Sequence, residues 1–398
     1  MNSDLVHLQP YPFERLATLK RGLLPPADKA HIALSIGEPK HPTPALIRQA
    51  LADRLDKLSV YPTTRGLVEL REAIATWLTR RYGLDRTPID AETQVLPVNG
   101  TREALFAFAQ AIVDRGSSPL VLMPNPFYQI YEGAAWLAGA EPHYLPCRAE
   151  NGYIPDFAAV AEATWKRCQL LYLCSPGNPT GAVVDRATLE QLVLLAQRHD
   201  FVIASDECYA EIYLDESRPP TGLLEAAAAV GIDDFSRCVV FHSLSKRSNA
   251  PGLRSGFVAG DAQILARFLT YRTYHGCAMP LQHQYASIAA WNDEQHVIIN
   301  RRLYREKFAA VLDALGGSLD VTAPAAGFYL WPKTPIPDTD FARGLFAHQH
   351  VTVLPGSFLS RAIGGHDPGS GRMRLALVAT LDECVEGAHR IRDHVESI

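Results

Sequence analysis

The sequence lacks the features that would direct a chain to a membrane, to nucleic acid or to export. No run of 18 apolar residues occurs, so no segment is expected to span a membrane as a helix. Lys and Arg number 38 against 43 Asp and Glu, which argues against nucleic acid as a partner. The first 15 residues include acidic residues and prolines but no apolar core. We therefore expect no secretory signal and a cytoplasmic location.

Cysteine is present but never in the C-x-x-C spacing of metal and redox sites. The seven cysteines are odd in number, and several stand in apolar, strand-like runs such as 170–174. They are Cys147, Cys168, Cys174, Cys208, Cys238, Cys277 and Cys384. The pattern favours small buried side chains in a reducing compartment, and neither a disulfide nor a metal site is expected.

Length and composition indicate a well-buried globular protein of more than one domain. The chain has 398 residues, of which 47% are hydrophobic and 20% are charged. We expect residues 45–285 to form a large domain. Residues 1–44 and 286–398 are expected to form a smaller α/β domain together.

Apolar runs that alternate with helical spacing predict a mostly parallel, buried sheet. The predicted helices cover residues 45–57, 67–82, 102–114 and a long stretch from 285 to 315. The predicted strands cover residues 94–98, 120–123, 170–174, 202–205, 239–242 and 255–259. Polar clusters follow four of these strands, at 99–101, 175–178, 205–207 and 243–246. Since ligands of open α/β sheets bind at the carboxyl ends of the strands, we expect these clusters to meet in one site.

Lys246 is the most informative residue of these clusters. A lysine at the end of a buried strand is costly unless its ammonium is desolvated for chemistry, such as a Schiff base with an aldehyde. Ser243 lies three residues before it and Arg254 eight after, and both suit an anionic phosphate. Together they predict an anchor for pyridoxal phosphate, with a solvated surface lysine as the alternative.

Four further side chains suit the ring of that cofactor and an amino-acid substrate. Asp206 ends an apolar strand and would pair with a protonated ring nitrogen, or else cap a helix or form a local salt bridge. Tyr209 and Asn178 would contact the phenolic oxygen of the ring, although a core tyrosine and a plain turn are the alternatives. Arg374 carries a planar guanidinium fork that could bind the substrate α-carboxylate, and a surface arginine is the alternative.

The start of the 102–114 helix predicts a phosphate site. Gly100, Thr101 and Arg102 follow a strand and open this helix, where backbone N–H groups and the helix dipole favour an anion. Tyr128 follows the 120–123 strand and would stack on the cofactor ring. Phe127 is its alternative, and core packing is the alternative for both.

Together these motifs resemble the fold-type I, class I/II aminotransferases of the aspartate aminotransferase family, over nearly the whole chain. The matching motifs are Gly37-Glu38-Pro39, Tyr61, 99–101, Pro126-x-Tyr128, the turn at Asn178, Asp206-x-x-Tyr209, Ser243-x-x-Lys246 and Arg374. The resemblance implies a large domain on a mostly parallel seven-stranded sheet flanked by helices, with a smaller α/β domain. It also implies pyridoxal 5'-phosphate as cofactor, amino-acid and 2-oxo-acid substrates, and a homodimer.

The resemblance also implies a role for each candidate residue. Lys246 would be the Schiff-base lysine and the acid/base of the proton shift, with Asp206 and Tyr209 as its catalytic partners. The remaining cofactor contacts would come from Gly100, Thr101, Arg102, Tyr128, Asn178, Ser243, Arg254 and Tyr61, the last in the site of the neighbouring subunit. Arg374, Asn178 and the Gly37 backbone would bind the substrate α-carboxylate.

Residues 241–261 are similar to those of succinyldiaminopimelate aminotransferases. This implies ping-pong exchange between N-succinyl-LL-2,6-diaminopimelate and 2-oxoglutarate, both of which carry a carboxylate far from the reacting carbon. Arg102 is the candidate for binding that carboxylate, with Arg65, Arg247 and Arg15 as alternatives. An aspartate, N-acetylornithine or aromatic aminotransferase, or a C–S lyase of the same fold, remains the alternative activity.

Overall fold

The computed structural model describes residues 1–398, and a seven-stranded sheet forms its centre. Across all sheets of the chain, the strands are β1 (Ile32–Ala33), β2 (Val95–Val98), β3 (Leu120–Asn125), β4 (Glu141–Pro146), β5 (Cys168–Cys174), β6 (Val202–Asp206), β7 (Cys238–Ser243), β8 (Gly256–Gly260), β9 (Tyr329–Leu330), β10 (Val351–Thr352), β11 (Leu354–Pro355) and β12 (Met373–Ala376). The central sheet has the order β2-β8-β7-β6-β5-β3-β4. Strands β3 to β7 run parallel, and β8 is antiparallel to both of its neighbours. The predicted mostly parallel sheet is confirmed.

Helices cover both faces of this sheet. They are α1 (Pro12–Leu19), α2 (Ala45–Ala52), α3 (Val68–Tyr82), α4 (Thr101–Ile112), α5 (Ile130–Ala138), α6 (Glu162–Arg167), α7 (Arg186–His199), α8 (Leu223–Ala229), α9 (Leu244–Arg247), α10 (Ala262–His275), α11 (Leu281–Trp291), α12 (Gln295–Leu315), α13 (Asp338–Gln349) and α14 (Leu381–Glu396). In β5, Leu171 and Leu173 share a core with residues of α3, α7, α8 and α11, whereas Leu170 and Tyr172 share another with residues of α4, α5 and α10. Because alternate side chains enter different cores, residues 170–174 are all apolar. None of the helices is long and apolar enough to cross a bilayer.

The N-terminal segment packs with the C-terminal part of the chain. Ile32 in β1 pairs in parallel with Val351 in β10. Ile32 and Leu34 share a core with apolar residues of α12, α13 and α14. Strands β11, β12 and β9 form a separate antiparallel sheet beside this core. The division into two domains at residues 44 and 285 stays a prediction.

Two helical predictions need correction. The stretch from 285 to 315 is not one helix, because α11 ends at Trp291 and α12 begins at Gln295. The Asp293 carboxylate accepts a hydrogen bond of 3.0 Å from the His296 amide in the first turn of α12, so it caps a new helix. The predicted 45–57 helix ends at Ala52, and a short 3₁₀ turn follows over Leu55–Ser59.

Candidate active site

A cavity of about 710 Å³ lies where the parallel strands end. Its wall includes residues at or soon after the ends of β2, β5, β6 and β7, as the arrangement of an open α/β sheet requires. The predicted site residues on its wall are Gly37, Thr101, Arg102, Tyr128, Asn178, Asp206, Tyr209, Ser243, Lys246, Arg254 and Arg374. Gly100 and Tyr61 are the two predicted residues that do not line it. The fold therefore brings together side chains that are as much as 337 positions apart, from Gly37 to Arg374.

Lys246 reaches the cavity from helix α9, which directly follows β7. Its Nζ donates a hydrogen bond to the carbonyl of Gly37, in the N-terminal segment. Burial lowers the pKa of this amine to about 8. Near neutral pH a larger fraction of it is unprotonated than of a surface lysine, and the unprotonated amine is the nucleophile.

Asp206 is a buried carboxylate with hydrogen-bond donors on both of its oxygens. The Tyr131 hydroxyl donates to Oδ2 over 2.7 Å, and the Cys208 amide donates to Oδ1 over 3.3 Å. Burial raises the pKa of this carboxyl, while the hydrogen bonds from Cys208 and Tyr131 act in the opposite direction. The Tyr131 ring stacks on Tyr172 with centroids 4.6 Å apart, which fixes the hydroxyl. The carboxylate is thus held in place at the cavity wall, where a cationic partner would stabilise its charge.

Arg374 presents a buried guanidinium to the same cavity from β12. It donates from Nη1 to Asn178 Oδ1 over 2.9 Å and from Nη2 to the Ser35 carbonyl over 2.7 Å. Its guanidinium lies over the Tyr329 ring, 4.5 Å from the centroid, and its Nε has no hydrogen-bond partner. The residue is 4% exposed. A buried, oriented fork with an unused donor suits a carboxylate.

The start of α4 and Arg254 form a cradle for an anion. Gly100 has φ +85°, and a Cβ at this position would lie 2.2 Å from Arg254 Nη2. Glycine therefore allows the guanidinium to approach the first turn of α4, which begins at Thr101. Ser243 lies on the wall of the same cavity. Free N–H groups at a helix start, a hydroxyl and an arginine are together typical of a phosphate site.

The structure distinguishes the two adjacent aromatic candidates. Phe127 is buried and packs against Tyr144 in the core, whereas Tyr128 lines the cavity. The Tyr128 hydroxyl accepts a hydrogen bond of 2.6 Å from Arg102 Nε, and Arg102 Nη2 donates to the Tyr11 hydroxyl over 3.2 Å. Tyr128 is thus the aromatic available to a ligand, and Arg102 is held at the wall by two tyrosines.

The other predicted residues lie outside this cavity. Tyr61 is 98% exposed on the surface. Arg247 is fully buried, and its Nη2 pairs with Glu294 over 2.6 Å, so it is not available to a substrate. Arg65 and Arg15 do not line the cavity either. Among the arginines considered for a distal carboxylate, Arg102 is the one on the wall.

The sequence analysis missed several residues of the cavity wall, and among them Tyr131, Cys208, Tyr329 and Tyr11 have polar side chains that contact predicted site residues. Tyr131 lies three residues after Tyr128, and this spacing was a usable signal because the turn between them is closed by a hydrogen bond of 3.0 Å from the Tyr131 amide to the Tyr128 carbonyl. Tyr329 shares a hydrogen bond of 3.0 Å with the Tyr209 hydroxyl but comes from a distant strand, and no local pattern indicates that contact. Tyr11 likewise reaches the site from the N-terminal segment.

Comparison with known proteins points to one family. The family model described as aminotransferase class I and II matches residues 29–391. The chain belongs to the class I and II aminotransferases. The family acts on amino acids and 2-oxo acids, is typically dimeric and depends on pyridoxal 5'-phosphate.

Several relatives of this aminotransferase match nearly its full length. A solved aminotransferase from Neisseria meningitidis is 50% identical, covers 99% of both chains and has a TM-score of 0.94. An LL-diaminopimelate aminotransferase from Nitratidesulfovibrio vulgaris is 32% identical over 95% of this chain and 97% of that protein. A probable N-succinyldiaminopimelate aminotransferase from Thermus thermophilus is 28% identical, with a TM-score of 0.84 over 96% of this chain and 100% of that one.

The functional groups around the cavity of this aminotransferase fit pyridoxal 5'-phosphate. Lys246 offers an amine of lowered pKa to an aldehyde. Asp206 is a buried carboxylate without an ion-pair partner of its own, which suits a cationic ring nitrogen. The cradle at Gly100 and Arg254 suits the phosphate, because it places a guanidinium beside the first turn of α4. The aldehyde, the ring nitrogen and the phosphate of the cofactor therefore each have a matching group.

Proposed function

We propose that this aminotransferase moves the amino group of N-succinyl-LL-2,6-diaminopimelate to 2-oxoglutarate, in diaminopimelate and lysine biosynthesis. The observation that carries the proposal is the set of three arginines in the cavity. Arg254 borders the anion cradle and Arg374 suits the α-carboxylate, so Arg102 is left for a second, distal carboxylate. Both substrates carry one. Similarity to the Thermus protein supports the same choice.

The proposal assigns the parts of the cofactor to the groups around it. When bound, the cofactor supplies an aldehyde that joins amino groups and a ring that withdraws electrons from the substrate α-carbon. Asp206 would hold the ring-nitrogen proton, Asn178 and Tyr209 would contact the phenolic oxygen, and Tyr128 would cover one face of the ring. Gly100, Thr101, Ser243 and Arg254 would hold the phosphate, with Arg102 at its edge.

Lys246 moves the proton in this mechanism. Its unprotonated amine accepts the α-proton of the amino donor, and it returns a proton to carbon when the 2-oxo acid is converted. Arg374 and the Gly37 backbone bind the α-carboxylate of both substrates in turn. Because the Gly37 carbonyl accepts a hydrogen bond from Nζ, the carboxylate site adjoins the reacting amine. One site thus serves both halves of a ping-pong reaction.

We also propose that the working enzyme is a cytoplasmic homodimer. Tyr61 is 98% exposed, and Leu55, Leu58 and Val60 beside it are exposed as well. A second copy that covered this apolar strip would bury it and bring its Tyr61 to the neighbouring phosphate site. The seven free cysteines agree with a reducing compartment.

Substrate competition tests the assigned activity. We expect kcat/KM with 2-oxoglutarate to be at least about tenfold higher for N-succinyl-LL-diaminopimelate than for aspartate or N-acetylornithine. We expect Arg102→Gln to lower that value about tenfold while leaving the value for alanine unchanged, because one charged hydrogen bond to the distal carboxylate is lost. Arg167→Gln is the matched control, since Arg167 pairs with Glu141 on the surface. Equal losses for both amino donors would contradict the role of Arg102.

LL-diaminopimelate itself is the second candidate donor. Relatives named LL-diaminopimelate aminotransferase are 31–33% identical to this chain. Glu38 is a carboxylate at the cavity and would accept the free distal ammonium of that substrate. A higher kcat/KM for LL-diaminopimelate than for its N-succinyl form, lost in Glu38→Gln, would favour this candidate over the first.

A further inference from the structure

Glu207 and His242 form a buried pair directly behind the cavity. Glu207 follows Asp206 at the end of β6, and His242 precedes Ser243 at the end of β7. Glu207 Oε2 and His242 Nε2 are 3.0 Å apart, and both residues are 2% exposed. Neither residue lines the cavity. Because side chains alternate along a strand, each points away from its cavity-facing neighbour.

The Glu207 carboxylate has all of its acceptor positions in use. Besides His242, it accepts hydrogen bonds from the Tyr82 hydroxyl over 3.0 Å, the Ser205 hydroxyl over 3.0 Å and the Leu223 amide over 2.9 Å. These donors come from α3, β6 and the start of α8. A buried carboxylate with four partners is fixed in position, so it joins four elements behind the cavity.

The pair also affects the charge of Asp206. Burial alone would raise the pKa of Glu207, but its contacts with His242 hold that pKa below the ordinary value. Burial raises the pKa of Asp206, and the nearby His242 is one of the groups that oppose this rise. Loss of the pair would therefore disturb both the position and the ionisation of Asp206.

We propose that Glu207 and His242 are positioning residues that set the distance between the two ends of the cofactor site. Asp206 ends β6, and Ser243 and Lys246 follow on the neighbouring strand and helix. The pair joins the ends of β6 and β7 through side chains that do not line the cavity. The inference rests on the proposed function, which gives Asp206 and Lys246 their roles toward pyridoxal 5'-phosphate.

Cofactor titration of two variants and a matched control tests this inference. Glu207→Gln and His242→Gln each keep the approximate shape of the side chain while removing charge from the pair. Glu211→Gln is the control, because Glu211 is 4% exposed, pairs with Arg81 over 2.6 Å and does not line the cavity. The measurements are the Kd of pyridoxal phosphate for the apoprotein, kcat and KM for glutamate, and the apoprotein Tm.

A positioning role predicts a specific pattern. In Glu207→Gln and His242→Gln, the Kd of the cofactor rises and kcat falls, each about tenfold, with KM for glutamate nearly unchanged. Glu211→Gln lowers Tm to a similar extent but keeps the wild-type Kd. Wild-type Kd and kcat in the two variants, or an equal rise of Kd in the control, would overturn the inference. If Glu207→Gln does not fold, the Kd and kcat of His242→Gln decide whether the inference holds.

The design separates this inference from the proposed function. A wild-type protein that does not bind pyridoxal phosphate or convert glutamate refutes the proposed function, and the inference with it. A wild-type protein that does both, beside variants with unchanged Kd, refutes the inference alone.

Discussion

Replacement of Arg374 by lysine tests the proposed α-carboxylate site. The arginine is 4% exposed and holds its guanidinium with bonds of 2.9 Å to Asn178 and 2.7 Å to Ser35. Lysine keeps the positive charge but offers a single nitrogen in place of a planar fork. Losing one charge-assisted hydrogen bond in a buried site costs about 1.5–3 kcal/mol, which is about a 10- to 150-fold loss in kcat/KM.

The assay is glutamate formation from the amino donor and 2-oxoglutarate, with the Kd of the cofactor measured on the same preparation. Arg372→Lys is the matched control, because Arg372 donates to the Trp331 carbonyl over 3.0 Å and does not line the cavity. We expect Arg374→Lys to lose kcat/KM and keep its cofactor affinity, and the control to keep both. A loss below about threefold in Arg374→Lys, or the same loss in Arg372→Lys, would refute the reasoning.

Three further predictions concern the cofactor. Because the pKa of Lys246 is lowered to about 8, the rate of covalent cofactor capture by the apoprotein should rise with pH and level off above about 8; a stopped-flow rate still rising toward about pH 10 would contradict the lowered pKa. Tyr131→Phe removes the 2.7 Å hydrogen bond to Asp206, so kcat should fall about tenfold; an unchanged kcat would exclude this role. Tyr61→Ala should raise the cofactor Kd although Tyr61 is 98% exposed in its own chain; a wild-type Kd in a dimer, sized by sedimentation, would exclude the contact across the interface.

The positions of Asn178, Asp206 and Lys246 were predictable because each lies at or soon after the end of an apolar strand. Asn178, Asp206 and Lys246 come at or soon after the ends of runs that are buried on both faces, and a parallel sheet brings the ends of such runs together. The local pattern left Phe127 open as an alternative to the predicted Tyr128, because both are large aromatics in one turn. In the structure Phe127 packs against Tyr144 of β4, which leaves Tyr128 to the cavity. This contact joins different elements, so no local pattern indicates it.

The edge strand β4 was missed because its sequence argues locally against a strand. The segment Glu141–Pro146 contains Pro142 and Pro146, and proline cannot donate to a sheet. An edge strand tolerates proline because one side of it has no partner strand, and β4 is at the edge of the central sheet. The contact between Glu207 and His242 was also missed, because it joins the ends of two different strands through side chains that do not line the predicted site.

Reductive trapping of the cofactor tests the central claim most directly. Wild-type protein incubated with pyridoxal 5'-phosphate and then treated with borohydride should carry the reduced cofactor on the peptide that contains Lys246. The Lys246→Ala variant should carry none and should lose turnover by several orders of magnitude. Peptide mass spectrometry that finds no added cofactor on the wild type, or finds it on another lysine instead, would contradict the account.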